Sequence, residues 1–425
     1  MSKNLVVIGL GYVGLPVAVL AKSKGWQVTG VDIDQSKVDQ INHGVSPLED
    51  PALSAAFAKH PITATTDPSV VSDADVIVVA VPTPVTDDKL PDLTPLTGAI
   101  SSIAPHLKKN QLLSIESTIN PGVMDEVIVP LLQTQSDVSD FFLVHCPERI
   151  NPGDTTWTIE NIPRVIGGYS PQASQAGKEF YDSILSAEVK VMDSVTEAEA
   201  VKIFENTFRD INIAYVNEMA KSFDKLGIDI TNVIAGAATK PFGFLAHYPG
   251  NGVGGHCISV DPYYMIERAR QVGFTHQFLK LARAINDSMP QYTVDLLEHG
   301  LNQLGIKAQD ARIALLGLAY KKDIDDTRES PAHAIRNILK NKAYTHTVFD
   351  PYIMKSSNVK SLAAALDGSN VVILATNHTQ FTDTLTPEYL KQANIQLVID
   401  SKNALSKQQI TQAGITYYGI GRSKL

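Results

Sequence analysis

The sequence predicts an α/β protein in which two Rossmann-like parallel-sheet domains are joined by a central all-helical region. Short apolar runs alternate with helical stretches over about the first 190 residues, and the same alternation returns near Lys307. Between them the chain has helical periodicity and no strand signal. Fully apolar strands separated by helices indicate a parallel sheet covered on both faces. The predicted domains are residues 1–195, 196–305 and 306–425.

The composition is that of a soluble globular protein whose main partner is not a polyanion. The 425 residues are 44% hydrophobic and 19% charged, and the formal net charge of -9 argues against binding to nucleic acid or an anionic membrane. No apolar run approaches the ~20 residues that span a bilayer, and the N-terminus does not resemble a signal peptide. Two cysteines, Cys146 and Cys257, form neither a disulfide framework nor a four-cysteine metal site. We therefore expect a cytoplasmic protein without a bound metal.

The elements follow from local patterns along the chain. The strand candidates of the first domain are NLVVIGL, QVTGVDID, DVIVVAVP, QLLSIEST and FFLVHCP. Those of the last domain are ARIALLGLAY, HTVFD, NVVILATN and QLVIDS, and no residue-level repeat between the two domains is evident. A long helix is predicted from Thr196 to Gly227, because no Gly or Pro interrupts it. The further helical runs are PYYMIERARQVG and FLKLARAINDSMPQYTVDLLEHGLNQLG.

A glycine-rich turn after the first strand predicts a dinucleotide site. Gly9, Gly11 and Gly14 have the G-x-G-x-x-G spacing between a strand and a helix. The first glycine makes the tight turn, the second admits a pyrophosphate, and the third packs the helix against the strand. The helix N-terminus offers N–H groups to the phosphates, and Tyr12 and Val13 complete the predicted contacts. The alternative is a glycine-rich turn that binds nothing.

A carboxylate and two threonines extend this predicted NAD site. Asp32 ends the next strand, 18 residues after Gly14, where it would accept from both ribose hydroxyls and repel a 2′-phosphate, which favours NAD over NADP. Lys37 would cover the same ribose or else be a solvated lysine. Thr83 and Thr118 follow later strands at the edge where parallel sheets bind ligands, although a threonine there is often only a turn former.

Cys257 stands in the loop NGVGGHCISVDPYY and is a candidate nucleophile. The glycines allow close backbone approach and expose the sulfur, and a thiolate is a strong nucleophile at neutral pH. The alternative is a small buried apolar residue, as lone cysteines often are. Asp261 follows four positions later, where a carboxylate would orient a water molecule.

The long helix carries a polar stripe formed by Lys202, Asn206 and Arg209, which share one face. The stripe is either an ordinary exposed surface or a set of groups that faces an oxyanion and phosphates. An NAD site combined with a nucleophilic cysteine predicts oxidation of an aldehyde, or of an alcohol to an acid, through a thiohemiacetal and a thioester.

Seven motifs occur in order along the chain: GLGYVGLP, ESTINPG, CPERINPG, ENTFRDINIAYVNE, GVGGHCISVDPYY, GLAYKKDIDDTRES and VIDSKN. Through them the sequence resembles the UDP-glucose/GDP-mannose dehydrogenase family nearly end to end. The resemblance implies a four-electron oxidation of a nucleotide-sugar C6 alcohol to a carboxylate, with two NAD and one active site. It also implies an N-terminal NAD domain, a helical region that forms a homodimer or a larger homo-oligomer, and a C-terminal domain for the UDP-sugar.

The resemblance further implies a role for individual residues. The catalytic set is Cys257 as nucleophile, Lys202 and Asn206 for proton transfer and the oxyanion, Asp261 for the water, Glu148 as acid, base or water-orienting group, and Thr118 beside the nicotinamide. The substrate-binding set is Arg149, Ile150, Lys202, Asn206, Arg209, Gly252, Tyr320, Lys321 and Lys402, with Lys321 on the UDP phosphates. Arg328 is implied to contact NAD.

The cysteine loop also indicates a branch of this family. His256 before the cysteine and Val260 before the aspartate resemble members that act on UDP-N-acetylhexosamines in surface polysaccharide precursor synthesis. The upstream TKPFGF and YPG favour UDP-N-acetylglucosamine, and UDP-N-acetylmannosamine stays open. The alternatives are a UDP-glucose 6-dehydrogenase and a protein that binds NAD without turnover. Lys402 stands where many members have Arg, and loses the planar fork. Lys240 is a weak candidate for completing a neighbouring subunit's site.

Overall fold

The chain divides into two compact units, each built around one sheet. The computed structural model describes residues 3–48, 50–86, 88–150, 156–255 and 257–425. The first unit is Met1–Glu205 with Tyr263–Phe274, and the second is Asn206–Pro262 with Thr275–Leu425. The predicted α/β class, with two parallel-sheet domains and a helical middle region, is confirmed. Within the described ranges, no helix is both long and apolar enough to cross a membrane, and no cluster of His, Cys, Asp or Glu could hold a metal.

The first unit contains all five strands predicted for it and three that were not predicted. Its strands are β1 Asn4–Ile8, β2 Gln27–Val31, β3 Thr63–Thr65, β4 Val76–Val79, β5 Leu112–Ile115, β6 Phe142–His145, β7 Arg164–Gly168 and β8 Val189–Val191. They form one sheet in the order β3-β2-β1-β4-β5-β6-β7-β8. Neighbours are parallel except β6 and β7, which are antiparallel. The unpredicted strands are short, or contain glycine, or have exposed residues, and so lack a clear apolar run.

Helices cover this sheet on both faces, because its central strands β4 and β5 are largely apolar and fully buried. The helices of the first unit are α1 Gly14–Ser23, α2 Gln35–Asn42, α3 Pro51–Lys59, α4 Thr94–Ile103, α5 Val129–Gln135 and α6 Pro171–Ile184. The next helix, α7 Val195–Leu226, continues from the first unit into the second. It ends before Gly227, whose φ of +71° is the left-handed conformation expected at a helix terminus. The predicted end of the long helix is confirmed.

The helical region after α7 differs from the prediction in one respect. Its helices are α8 Ile230–Ala237, α9 Asp261–Gln271, α10 Phe278–Asp287 and α11 Met289–Leu304. The prediction of one continuous helix from position 278 is wrong, because the helix is interrupted at Ser288, between α10 and α11. Pro290 lies in the first turn of α11, where its missing N–H costs no hydrogen bond.

The second sheet is entirely parallel. Its strands are β9 Arg312–Leu316, β10 Thr345–Phe349, β11 Val371–Leu374, β12 Leu397–Asp400 and β13 Thr416–Gly419, in the order β10-β9-β11-β12-β13. The helices that follow these strands are α12 Pro331–Asn341, α13 Leu362–Leu366, α14 Thr379–Thr384, α15 Pro387–Gln392 and α16 Lys407–Gln412. The strand order reverses between β9 and β11, and ligands of open α/β sheets bind outside the carboxyl ends at such a switch point.

The turn after β1 is closed by hydrogen bonds that reach β2 and Asp32. Gly9 has a φ of +89°, and its N–H donates to the carbonyl of Val31 at 2.7 Å. The N–H of Leu10 donates to Asp32 Oδ2 at 2.9 Å. A Cβ added at Gly9 would lie 2.7 Å from the carbonyl oxygen of Ala80, so both conformation and space require glycine here.

The second unit repeats this arrangement after β9. Gly317 has a φ of +93°, and its N–H donates to the carbonyl of Phe349 at 2.9 Å. The N–H of Leu318 donates to Asp350 Oδ2 at 2.6 Å. The two turns read GLGY and GLAY, so the expectation that the domains share no residue-level repeat is wrong at this turn. Four letters are too few to stand out from the sequence alone.

Asp350 should contribute stability that is lost in acid. It is fully buried and accepts from the amides of Leu318 and Ala319 and from His378 Nε2. Burial alone would raise its pKa, but the hydrogen bonds from His378 and from the amides hold the pKa below its usual value. A lowered carboxyl pKa stabilises the folded state above the unfolded pKa, and this contribution fades as pH falls through the folded pKa. We expect Asp350→Asn to lower the free energy of unfolding at pH 7 by about 2–4 kcal/mol.

Urea unfolding at several pH values measures this effect, and the difference from wild type should shrink below about pH 4. Asp367→Asn is the control, because Asp367 is exposed in the same unit. An Asp350→Asn protein as stable as wild type at pH 7 would contradict the assigned role.

Candidate active site

The glycine turn of the first unit has the space that a dinucleotide needs. A Cβ added at Gly14 would lie 1.9 Å from the carbonyl oxygen of Gly9, so close packing of α1 requires this glycine. A Cβ added at Gly11 would meet no protein atom within 4 Å. Packing therefore does not explain Gly11, whereas close approach of a pyrophosphate does. Val13 precedes α1 and its apolar side chain makes no cap, so no side chain covers the N-terminus of the helix, where the helix dipole favours an anion. Tyr12 is 37% exposed next to this terminus.

Asp32 lies at the end of this turn with its carboxylate held in place. It is buried, and its Oδ1 accepts from the N–H of Asp34 at 3.0 Å. Lys37 Nζ lies 3.6 Å from Asp32 Oδ2, so Lys37 is an ion-pair partner of Asp32 rather than a solvated lysine. Together with the open space beside Gly11, a buried carboxylate at this position fits an NAD ribose.

Thr83 and Thr118 come together at the carboxyl ends of β4 and β5. The hydroxyl of Thr83 donates to the carbonyl of Thr118 at 2.7 Å. Thr83 is buried and Thr118 is half-buried. In the sheet order, β4 lies next to β1, which precedes the glycine turn, and β5 lies next to β4. The two threonines thus lie at the ligand-binding edge, and their contact with a cofactor stays a prediction.

A buried ion pair that the sequence did not reveal supports the segment carrying Glu148. Arg164 Nη1 lies 3.4 Å from Glu116 Oε2 and donates to the carbonyl of Pro147 at the same distance. The hydroxyl of Tyr181 donates to Glu116 Oε1 at 2.7 Å. Burial raises the pKa of Glu116, and Arg164 opposes that rise. The available signal was a charged residue inside each of two apolar runs, QLLSIEST and PRVIGG.

The predicted residues that follow β6 face different partners. Glu148 is buried, and its Oε1 accepts from the N–H of Ile150. Arg149 forms an ion pair with Glu205 on α7, with Nε 3.1 Å from Oε2. Arg149 and Ile150 are half-buried. The predicted substrate contacts of Arg149 and Ile150 stay predictions.

The two cysteines have opposite environments. Cys146 is fully buried, and burial raises the pKa of its thiol to about 12. Cys257 is exposed in the second unit. The carbonyl of Cys257 accepts from the N–H groups of Val260 and Asp261 at 3.1 and 2.8 Å, which forms the turn that leads into α9. Cys146 is therefore the small buried residue that lone cysteines often are, whereas Cys257 is not. The branch signal of His256 lies outside the described residues.

Asp261 and Asn206 contact each other directly. Asn206 Nδ2 donates to Asp261 Oδ2 at 2.5 Å, and both side chains are buried. Lys202, one turn earlier on the same face of α7, is also buried. Arg209 is exposed. Of the three stripe residues only Arg209 is exposed, because Lys202 and Asn206 are buried. The alternative of an ordinary exposed stripe therefore holds for Arg209 alone.

The glycine loop, residues 250–255, packs against the segment that follows β9. A Cβ added at Gly254 or Gly255 would lie 2.7 or 2.8 Å from atoms of Tyr320, so the absence of side chains permits this contact. The N–H of Gly255 donates to the carbonyl of Arg328 at 3.0 Å. Burial raises the pKa of Tyr320 to about 12, and the nearby Cys257 adds to the rise. The structure thus brings Tyr320, Arg328 and Cys257 together.

The basic residues of the second unit lie at the carboxyl edge of its sheet. Lys321 follows β9 and Lys402 follows β12. A Cβ added at Gly250 would lie 3.6 Å from Lys402 Nζ, and burial lowers the pKa of Lys402 to about 8 against the opposing charge of Asp400. The Arg328 guanidinium pairs with Asp326, with Nη2 2.6 Å from Oδ2. Its predicted contact with NAD stays a prediction.

The sequence of this chain matches three family models in the order of its parts. They describe the UDP-glucose/GDP-mannose dehydrogenase family NAD binding domain over residues 3–185, its central domain over 196–288 and its UDP binding domain over 314–407. The chain belongs to the UDP-glucose/GDP-mannose dehydrogenase family. It is an NAD-dependent UDP-sugar dehydrogenase, and the family resemblance seen in the sequence is confirmed.

Relatives match over almost the whole chain. A UDP-N-acetyl-D-mannosamine dehydrogenase of Pyrococcus horikoshii is 34% identical, with 99% of each chain covered. An NDP-N-acetyl-D-galactosaminuronic acid dehydrogenase of Ralstonia solanacearum is also 34% identical, over 96% of this chain and 97% of its own. The solved structure of a UDP-D-ManNAc dehydrogenase from Pyrococcus horikoshii has a TM-score of 0.91 at 33% identity, with both chains covered completely.

Gly11 and Gly14 should separate cofactor binding from stability. Gly14→Ala places a methyl group against the carbonyl of Gly9, and we expect it to lower the free energy of unfolding by about 1–3 kcal/mol. Gly11→Ala meets no protein atom, so we expect unchanged stability and a rise of at least about tenfold in the Kd for NAD.

Urea unfolding and a fluorescence titration with NAD measure the two effects, and Gly98→Ala in the same unit is the control, because a Cβ added there also meets no protein atom within 4 Å. Normal NAD affinity in Gly11→Ala would contradict the prediction that the pyrophosphate of NAD binds at this turn.

Proposed function

We propose that this chain is a UDP-N-acetylhexosamine 6-dehydrogenase that oxidises the C6 alcohol to a carboxylate with Cys257 as nucleophile. The observation that carries the proposal is the exposed cysteine two residues after the glycine loop. Its carbonyl accepts from the N–H of Asp261, whose buried carboxylate is held by Asn206. An exposed thiol beside fixed polar groups suits covalent catalysis better than a structural role. The uronic acid formed would serve as a precursor for surface polysaccharide.

In the first oxidation, Lys202 accepts the proton of the C6 hydroxyl as the alcohol becomes an aldehyde. The glycine turn and Asp32 would hold NAD, which would supply the hydride acceptor for both oxidation steps. The Cys257 thiolate then forms a carbon–sulfur bond to C6, and the amide of Asn206 with Lys202 stabilises the oxyanion of this thiohemiacetal. A buried lysine suits this role, because a positive charge withdrawn from water interacts strongly with a developing oxyanion.

The second oxidation converts the thiohemiacetal into a thioester on Cys257. Water attacks this carbonyl, the carbon–sulfur bond breaks, and the carboxylate leaves while the thiolate is regenerated. Asp261 would orient or deprotonate the water, since its carboxylate is fixed by Asn206. Glu148, a second buried carboxylate, is the other candidate for this proton transfer.

Two observations support an N-acetylated sugar. The cysteine loop with His256 and Val260 resembles enzymes of that branch, and the two relatives described above are named for N-acetylated sugars. The sequence motifs and the relatives point to different epimers of the sugar. TKPFGF and YPG favour N-acetylglucosamine, whereas one relative is named for N-acetylmannosamine. UDP-glucose is the alternative substrate.

We also propose that the chain forms a homodimer through its helical region. Phe208 and Tyr215 on α7 are 44% and 58% exposed, and Phe278 and Leu281 on α10 are 65% and 56% exposed. Each pair lies on one face of its helix. Exposed aromatic side chains in this number are typical of a surface that a second protein covers.

A panel of UDP-sugars tests the reaction and the substrate together. With N-acetylglucosamine, N-acetylmannosamine, N-acetylgalactosamine and glucose as the sugars, we expect two NADH for each sugar oxidised. The kcat/KM for the preferred N-acetylated sugar should exceed that for UDP-glucose by at least about tenfold, because a site shaped for the acetamido group loses contacts without it. Absorbance of NADH and mass spectrometry of the acid measure both. One NADH per sugar would sink the four-electron mechanism, and a preference for UDP-glucose would refute the branch assignment.

Cysteine variants complete that test. Cys257→Ala should abolish acid formation, whereas Cys146→Ala should keep the wild-type stoichiometry because that thiol is buried. An undiminished rate in Cys257→Ala would remove this residue from the mechanism.

Sedimentation equilibrium tests the dimer. Phe278→Glu places a charge on the exposed apolar face, and we expect the mass to fall from twice the chain mass to 46.0 kDa. Met354→Glu is the matched control, since Met354 is 45% exposed outside the helical region. A wild-type protein that sediments as a monomer would refute the proposal.

A further inference from the structure

Two fully buried asparagines connect the helices of the second unit to the loop that precedes Cys257. Asn217 Oδ1, on α7, accepts from the N–H of Gly250 at 2.9 Å. Asn217 Nδ2 donates to Asn286 Oδ1, on α10, at 2.8 Å. The exposed fractions of the two side chains are 0% and 1%. One amide therefore joins the start of the glycine loop to two helices at once.

The connection ends at a buried ion pair. Asn286 Nδ2 donates to the carbonyl and to Oδ1 of Asp210 at 3.0 and 2.8 Å. Arg283 Nη1 lies 2.6 Å from the same carboxylate oxygen. We call the series Asp210, Asn286, Asn217 and the Gly250 amide the amide chain.

The amide chain has one direction. Asp210 accepts only, so Asn286 must turn its nitrogen towards Asp210 and its oxygen towards Asn217. Asn217 must then donate to Asn286 and present its own oxygen to Gly250. Rotating either amide by half a turn would place acceptor against acceptor and leave buried groups without partners, which carries a desolvation penalty. The position of the Gly250 N–H is therefore set by side chains on α7 and α10.

The remainder of the glycine loop is fixed from the other side. Asn251 Nδ2 donates to the carbonyl of Ala375 at 2.9 Å, directly after β11 and beside the switch point of the sheet. The N–H of Gly255 donates to the carbonyl of Arg328 at 3.0 Å. Cys257 follows two residues later, so its backbone position depends on these three attachments.

We propose that Asn217 and Asn286 are positioning residues for Cys257, which they affect by fixing the glycine loop without touching the reacting atoms. The inference rests on the proposed function for the role of Cys257 as nucleophile. Its physical content is independent of that role, because the orientation and reactivity of the thiol depend on the loop in any case. The expected consequence of breaking the amide chain is a misplaced thiol on a folded protein.

The principal test compares Asn217→Ala with wild type in steady-state kinetics and in alkylation of Cys257 by iodoacetamide. We expect kcat to fall about 10- to 100-fold, as for a misplacement of about 1 Å at a reacting atom. The KM for NAD should stay within about twofold, since the glycine turn that holds NAD lies in the first unit. The alkylation rate of Cys257, measured by peptide mass spectrometry across pH, should also change.

Asn370→Ala is the matched control. Asn370 is half-buried in the same unit, where its side chain accepts from the N–H of Arg312 at 2.8 Å and donates to the carbonyl of Asp310 at 3.0 Å. It thus also links backbone segments, but at the amino ends of the strands. We expect a loss of thermal stability with unchanged kcat and an unchanged alkylation profile.

Equal kcat and alkylation profiles in Asn217→Ala and Asn370→Ala would overturn the proposal. If Asn217→Ala does not fold, Asn286→Ala takes its place, with the same expected changes, because Asn217 then keeps its bond to Gly250 but loses the partner that orients it. If wild type produces no NADH from any UDP-sugar, the proposed function fails. The alkylation comparison then still decides whether the amide chain positions the thiol.

Discussion

The glycine loop of residues 250–255 must position the exposed thiol of Cys257, two residues later, while its own backbone is packed inside the protein. Buried N–H groups need partners, so the loop is possible only where other elements supply acceptors. Asn217 supplies one to Gly250 and the carbonyl of Arg328 supplies one to Gly255. The flat contact with Tyr320 then requires glycine at positions 254 and 255. The glycines of the loop, Asn217 on α7 and the segment after β9 thus act together to keep the buried backbone of the loop hydrogen-bonded.

Each unit places the residues predicted to bind ligands at the carboxyl edge of its sheet. In the first unit these are the glycine turn, Asp32 and the paired threonines, which follow β1, β2, β4 and β5. In the second unit they are the segment of Tyr320 and Lys321 after β9 and Lys402 after β12. Parallel strands with apolar faces place all of their following loops on one side, so a strand pattern readable from the sequence also determines where the chemistry lies.

The parts predicted from sequence were those with a local signature. Apolar runs predicted most of the strands, spacing identified Gly9, Gly11 and Gly14, and helical periodicity placed Lys202 and Asn206 on one face. The parts that escaped prediction depend on partners far along the chain. Glu116 meets Arg164 across 48 positions, and Asn217 meets Asn286 across 69. Nothing near these residues in sequence identifies the partner, since a buried polar residue is recognised only once the fold has enclosed it.

The repeated turn shows how little separates a cofactor cradle from a structural joint. Both units share the same backbone path and the same acid at the end of the second strand. In the second unit a methyl group, that of Ala319, occupies the place of Gly11, and an imidazole closes over Asp350. The methyl group takes up space that a closely approaching pyrophosphate needs at this position. The same backbone turn can therefore either bind phosphates or simply join two strands, depending on the side chains around it.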